Sequence, residues 1–187
     1  MNLKNINIDK ILIGHSVHRD TPIPHEYNEE LDVLPIYELK DLDYSKLKVF
    51  SLNMKTKKIE LTSVKSILKH EFNGQWIQNL QGNGMVITTP NHSVYNENYE
   101  TFYPYENETL RILTVNIPNK LIENKKKSYN WDIYFINLNL LSKNDRKVIK
   151  IDSKYSSNDA WDIECIDNHN FIGGQRELFV LHNTNNS

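Results

Sequence analysis

Two runs near the end of the chain decide the fold: Trp161-Asp162-Ile163-Glu164-Cys165-Ile166-Asp167-Asn168-His169-Asn170-Phe171, and Leu178-Phe179-Val180-Leu181-His182-Asn183-Thr184. AWDIECI and ELFVLH are short, rich in aromatic and aliphatic residues, and flank a turn at Ile172-Gly173-Gly174, so they read as strands. The same texture extends upstream. KVFSLN and IELTSV are joined by the polar connection Met54 to Lys58, which has hairpin length. GQWIQNL and GMVITT are separated by Gln81-Gly82-Asn83-Gly84, where glycine and asparagine accept the positive φ of a tight turn. VLPIYEL reads as a further strand; TLRILTVNI, a lysine-rich connection at Lys125 to Lys127 and WDIYFINLNLL form the least legible stretch. No window holds a capped 3.6-residue apolar period, so the chain is predicted to be all-β with little helix.

With 187 residues the chain can build one sizeable core, and a single domain is expected. Its 22 basic and 24 acidic residues give no electrostatic case for nucleic acid or an anionic membrane. Cys165 is the one cysteine, which rules out an intrachain disulfide and a multi-cysteine metal site. Ile11-Leu12-Ile13 is far too short for a signal-peptide core or a span. Residues 1–15 read as a leader or flank.

The closing stretch resembles the C-terminal splicing motifs of inteins. Those motifs pair an acidic residue and, seven residues on, a histidine followed by Asn-Phe with a hydrophobic run ending His-Asn before Ser, Thr or Cys. Asp162, His169, His182, Asn183 and Thr184 fill these positions. Thr89-Pro90-Asn91-His92 is similar to the family's T-x-x-H motif, and Ser16 with Asp20 and Thr21 to its opening motif. The resemblance spans Ser16 to about Ile117 and about Asn158 to Asn183. No homing-endonuclease signature is seen, which makes this a mini form. It implies a Hint-fold horseshoe of pseudo-twofold-related hairpins with both splice junctions at the centre. The implied divisions are an N-terminal flank at 1–15, a splicing domain at 16–183 and a C-terminal stub at 184–187.

The resemblance also implies roles. Ser16 attacks the carbonyl of His15, with His92 as donor to the departing amine and Thr89 orienting it or bonding the scissile peptide. Thr184, positioned or activated by Asp162, then attacks the new ester. Asn183 cyclises and breaks the bond to Thr184, with His182 and His169 as proton donors. No cofactor and no metal is implied; the domain acts in cis on its own flanks, as a monomer needing no partner, in whatever compartment holds its host, expected to be the cytoplasm. Serine in place of the family's commoner cysteine is a departure and gives a weaker nucleophile.

Other residues read more plainly. Cys165 is expected to be an inert core thiol. His15, His18 and His25 lack a metal-ligand spacing and read as exposed, with His18 a possible lining residue of the site. Two other functions are consistent with the text: a Hint-type domain that cleaves without ligating, and a β-rich binding module.

Overall fold

Short apolar runs broken by polar turns can bury their surface only by pairing edge to edge, and the computed structural model has that architecture. It describes residues 16–115, 146–151 and 157–183. Among these the strands are β1 (Val17–His18), β2 (Pro22–Tyr27), β3 (Glu30–Pro35), β4 (Leu47–Asn53), β5 (Lys58–Glu71), β6 (Ile77–Gln81) and β7 (Gly84–Thr88). They continue with β8 (Val94–Tyr95), β9 (Thr101–Phe102), β10 (Thr114–Val115), β11 (Arg146–Lys150), β12 (Asp159–Cys165), β13 (Asn170–Gly173) and β14 (Leu178–His182). Two short 3-10 turns, Ile36–Leu39 and Tyr44–Lys46, complete the secondary structure, so the all-β expectation holds. No described helix is long and apolar enough to cross a membrane.

Nine strands pair in the order β11-β6-β7-β1-β12-β5-β4-β2-β3. A second sheet runs β10-β14-β8-β9, with β13 also on β14. The two hairpins read from sequence are present, β4 with β5 from Lys48↔Ser63 to Asn53↔Lys58, and β6 with β7 from Ile77↔Thr88 to Gln81↔Gly84. Asn53 closes the first: its side-chain oxygen accepts from Lys55 N (2.9 Å) and Thr56 N (3.2 Å). Gly82, at φ +56°, closes the second.

β5 is far longer than its sequence suggested because it changes partner midway. Its first half pairs with β4 and its second with β12, and the register slips between Glu164 and Cys165. Such a bulge bends a strand, which lets one strand serve two differently oriented ladders.

Two sequence expectations need correcting. VLPIYEL is not one strand: β3 ends at Pro35, and Ile36–Leu39 turns as 3-10, sending Ile36 and Leu39, three apart, into the core. Ahead of Val33, where strands were expected to begin, lies β2, whose two prolines argue against a strand. They are two residues apart, so both missing donors fall on one edge, and β4 pairs with β2 only from His25 to Tyr27, beyond both.

β14 explains why its text is uniformly apolar. Phe179 and Leu181 enter the main core with Val17, Val86, Trp161 and Ile163, while Leu178 and Val180 enter a second core with Phe50, Leu52 and Tyr95. A strand apolar on both faces is a buried one. Of the middle left unmatched by the resemblance, Lys125 to Lys127 and WDIYFINLNLL lie outside the described residues, while β11 adds an edge strand beside β6.

Candidate functional site

Strand β12 gathers the site. Along one edge Val17 pairs with Trp161 and His18 with Ala160, so one further step of the same register sets Ser16 against Asp162, while β5 fills the other edge. At the next residue of β12 the Asn183 side-chain amide donates to the carbonyl of Ile163. Two segments from opposite ends of residues 16–183 thus attach to adjacent residues of one strand.

Ser16 is completely buried, and its Oγ has no hydrogen-bond partner among the described residues. Its backbone is gripped by Thr89, which is also fully buried. Ser16 N–H donates to Thr89 Oγ1 (3.2 Å), Thr89 Oγ1 donates to Ser16 O (3.2 Å), and Thr89 N–H donates to the same oxygen (3.0 Å). The nitrogen held by the Thr89 hydroxyl belongs to the peptide preceding Ser16. A hydroxyl there can accept from the amide and follow its nitrogen as it changes to an amine.

Thr89 and His92 sit on a turn closed by His92 N–H to Thr89 O (3.2 Å). That turn leaves β7, which pairs with β1 through Thr88↔Val17, and enters β8, which pairs with β14 through Val94↔Leu181. The T-x-x-H segment therefore joins the strand beside Ser16 to the strand beside Asn183. His92 is fully buried.

Asp162 has no exposed surface. Complete burial holds its carboxyl well above the usual carboxylate range, and the charge of Glu164 adds to this; the Ile163 N–H, bonded to Oδ1 at 2.8 Å, opposes it. A carboxyl whose pKa is raised keeps its proton, and with it the capacity to donate a hydrogen bond, over a wider pH range than a water-exposed one.

At the other junction Asn183 is buried, and its N–H donates to His169 O (2.7 Å). His182 is half-buried; its Nδ1 lies 2.8 Å from Ser93 Oγ, its N–H donates to Ser93 O (3.1 Å), and its ring meets Tyr95 edge-on at 5.5 Å. His169 reaches this junction through its carbonyl; its side chain is exposed on the turn between β12 and β13. Thr184 and His15 lie outside the described residues.

His18 and His25 are buried, not exposed as expected. Each sits on a strand paired on both edges, which the sequence did not reveal. Burial lowers the His25 pKa, partly offset by its Nδ1 contact with Ile23 O (2.9 Å). His18 stacks edge-on against Trp76 at 5.3 Å and lines a cleft of about 50 Å³ with Asp20, Pro22, Met85 and Gly174, a cleft that none of the seven candidate residues among the described ones borders. Among the described residues no cluster of His, Cys, Asp and Glu could hold a metal. Cys165 is a buried free thiol; burial, with the charges of Asp162, Asp167 and Glu164, pushes its pKa up to about 12.

Sequence reasoning missed three supports. Ser93, next to His92, bonds His182. Asn79 donates to Thr88 Oγ1 (3.2 Å), which donates to Thr89 O (2.9 Å), bracing the turn from β6. Asn170 clamps Leu52 N (2.7 Å) and Leu52 O (2.9 Å), fixing β13 against β4. Ser93 and Asn170 could have drawn notice by adjacency to the motif histidines; nothing in the sequence marks Asn79.

No family profile and no curated protein sequence matches the chain. Solved structures do. The chain is similar to a transcription factor IIB Mvu mini-intein at 20% identity, with a TM-score of 0.63, over 91% of this chain and 100% of that one. A DnaX mini intein from Spirulina platensis is similar at 19% identity and a TM-score of 0.56, over 90% and 100% of the two chains. A bacterial intein-like domain from Clostridium thermocellum is similar at 15% identity and a TM-score of 0.56, over 90% and 99%. At these identities the likeness is one of architecture, and the architecture is the all-β Hint fold of inteins.

Proposed function

We propose that this chain, folded as inteins are, is a single-turnover splicing element: residues 16–183 excise themselves and join residues 1–15 to residues 184–187. The observation that carries the reading is the convergence on β12, where Ser16 and the Asn183 amide sit at neighbouring residues with Thr89 on the Ser16 peptide.

The scheme conserves atoms. Ser16 Oγ attacks the carbonyl carbon of His15; the C–N bond breaks, the nitrogen takes a proton supplied through His92, and an ester replaces the amide. The serine hydroxyl is a weak nucleophile, so position carries this step, and the grip of Thr89 on both polar groups of the Ser16 backbone supplies it. Thr184 Oγ then displaces Ser16 Oγ from the ester, assisted by Asp162. Asn183 Nδ2 next attacks its own carbonyl carbon, the bond to Thr184 breaks, and the domain leaves with a C-terminal succinimide. His182 and His169 serve the proton transfers of this step. An O-to-N shift restores a peptide between the flanks. Side chains and backbone supply every group, so no cofactor or partner enters the scheme.

A second reading, cleavage without ligation, is favoured by the likeness to the intein-like domain and disfavoured by Thr184. Intact-mass analysis of the expressed chain separates the two. Splicing yields a 16–183 fragment one water lighter than its hydrolysed form and a joined peptide in which His15 precedes Thr184; cleavage alone yields separate flanks. Asn183→Ala must abolish cutting before Thr184 while leaving a hydroxylamine-sensitive ester at Ser16. A chain of unchanged mass under all conditions refutes both readings and leaves a binding module.

A further inference from the structure

We infer that Ser93 is the positioning residue for His182 in the cyclisation of Asn183, and that through it the Thr89 to Ser93 segment serves both junctions. The inference rests on the splicing reading above.

Ser93 is 4% exposed and holds His182 twice. Its carbonyl accepts the His182 N–H at 3.1 Å, which fixes where the residue sits, and its Oγ lies 2.8 Å from Nδ1, which fixes how the ring is turned. Tyr95, edge-on at 5.5 Å with the ring planes at 78°, limits rotation about the same axis. The next ladder pair, Leu181↔Val94, ties the two strands behind them. With Nδ1 engaged by Ser93, the proton traffic of cyclisation falls to Nε2.

A serine hydroxyl suits that task because it both donates and accepts. It donates to Nδ1 of the neutral ring, selecting the tautomer with its proton on Nε2, and accepts from Nδ1–H once the ring is charged. The charged ring, its Nδ1–H donated to Ser93 Oγ, gives its Nε2 proton to the departing nitrogen as Asn183 Nδ2 bonds to its own carbonyl carbon and the bond to Thr184 breaks. The proton released by the attacking amide returns to Nε2. Ser93 stays bonded throughout. Because Ser93 directly follows His92, the segment that serves the Ser16 peptide also orients the imidazole at Asn183.

The test uses the full chain and reads the junctions separately. Cutting before Thr184 is timed in a Ser16→Ala background, and the ester at Ser16 is timed by hydroxylamine release in an Asn183→Ala background. Ser93→Ala should slow the first about tenfold, the scale of one hydrogen bond to a group that becomes charged, and leave the second within about twofold. Ser93→Thr, which keeps the hydroxyl, should recover most of the loss. Nitrogen-15 histidine spectra of a Ser16→Ala/Asn183→Ala chain should report one His182 tautomer, protonated on Nε2, that becomes a mixture on adding Ser93→Ala. Cutting at parental speed in Ser93→Ala, or tautomer signals that do not change, overturns the inference. Failure of the splicing reading looks different: no hydroxylamine-sensitive ester appears at Ser16 with Ser93 intact.

Discussion

Replacing Thr89 with valine isolates the chemistry of one hydroxyl. Valine matches threonine in shape, and the Thr89 N–H to Ser16 O bond at 3.0 Å is backbone and survives. What disappears are two buried bonds at 3.2 Å, one from the Ser16 amide and one to the Ser16 carbonyl. Each such bond contributes about 1 kcal/mol net, so a loss of about 2 kcal/mol is expected. For a domain of this size that lowers the melting temperature by about 4 to 8 °C. The acyl shift at Ser16 should slow more than stability alone implies, by about ten- to a hundredfold, since one to two factors of ten correspond to about 1.4 to 2.8 kcal/mol lost in the transition state. Thr89→Ser retains the hydroxyl and should stay within about threefold. The assay is hydroxylamine release of residues 1–15 followed by mass, alongside thermal melts of the same samples. If Thr89→Val melts lower but forms ester at the parental rate, the hydroxyl is structural and the role given to it is wrong.

Asp162 should make stability fall with rising pH. The unfolded side chain ionises near pH ~3.9 whereas the folded one keeps its proton to higher pH, so the folded state binds more protons in that window. Its contribution is complete below about pH 4 and is lost as pH climbs through the raised folded pKa. Asp162→Asn should flatten the melting profile, gain on the parent from about pH 4 upward, and block transfer to Thr184; a parental pH profile in the variant would refute the assignment. Cys165, buried with its pKa near 12, should resist thiol reagents at pH ~8 until the chain unfolds, and Cys165→Ala should splice normally while losing about 1 kcal/mol of stability. Gly174 adopts φ +118°, and a Cβ there would lie 3.0 Å from Met85 O, so Gly174→Ala should cost about 1 to 3 kcal/mol in denaturant titrations.

What could be read from the sequence was local. The polar connection Met54 to Lys58 and the Gly82–Asn83 pair announce their hairpins because a tight turn is decided by the residues within it. Ser16, Thr89, His92, Asp162, His169, His182 and Asn183 are named from the order and spacing of short motifs, which can be recognised without overall identity. Non-local pairing could not be read. Nothing in Pro22-Ile23-Pro24 announces that β3 will cover one edge of a two-proline strand. The burial of His18 and His25 depends on neighbours far along the chain. Ser93 and the Ile163 carbonyl acquire meaning only once β8 meets β14 and β12 receives Asn183, pairings between segments about 20 to 90 residues apart.

The attachment of Ser16 and Asn183 to neighbouring residues of β12 bears on what such a domain does to a protein that carries it. A guest whose two doorways open side by side can be lodged in a surface loop without prising apart the host on either side, since the host spans it as it would a short loop of its own. Under the splicing proposed above, the same spacing would keep the severed host ends within reach of each other after the backbone is cut. Tethered neighbours react as though highly concentrated, which favours rejoining over drifting apart.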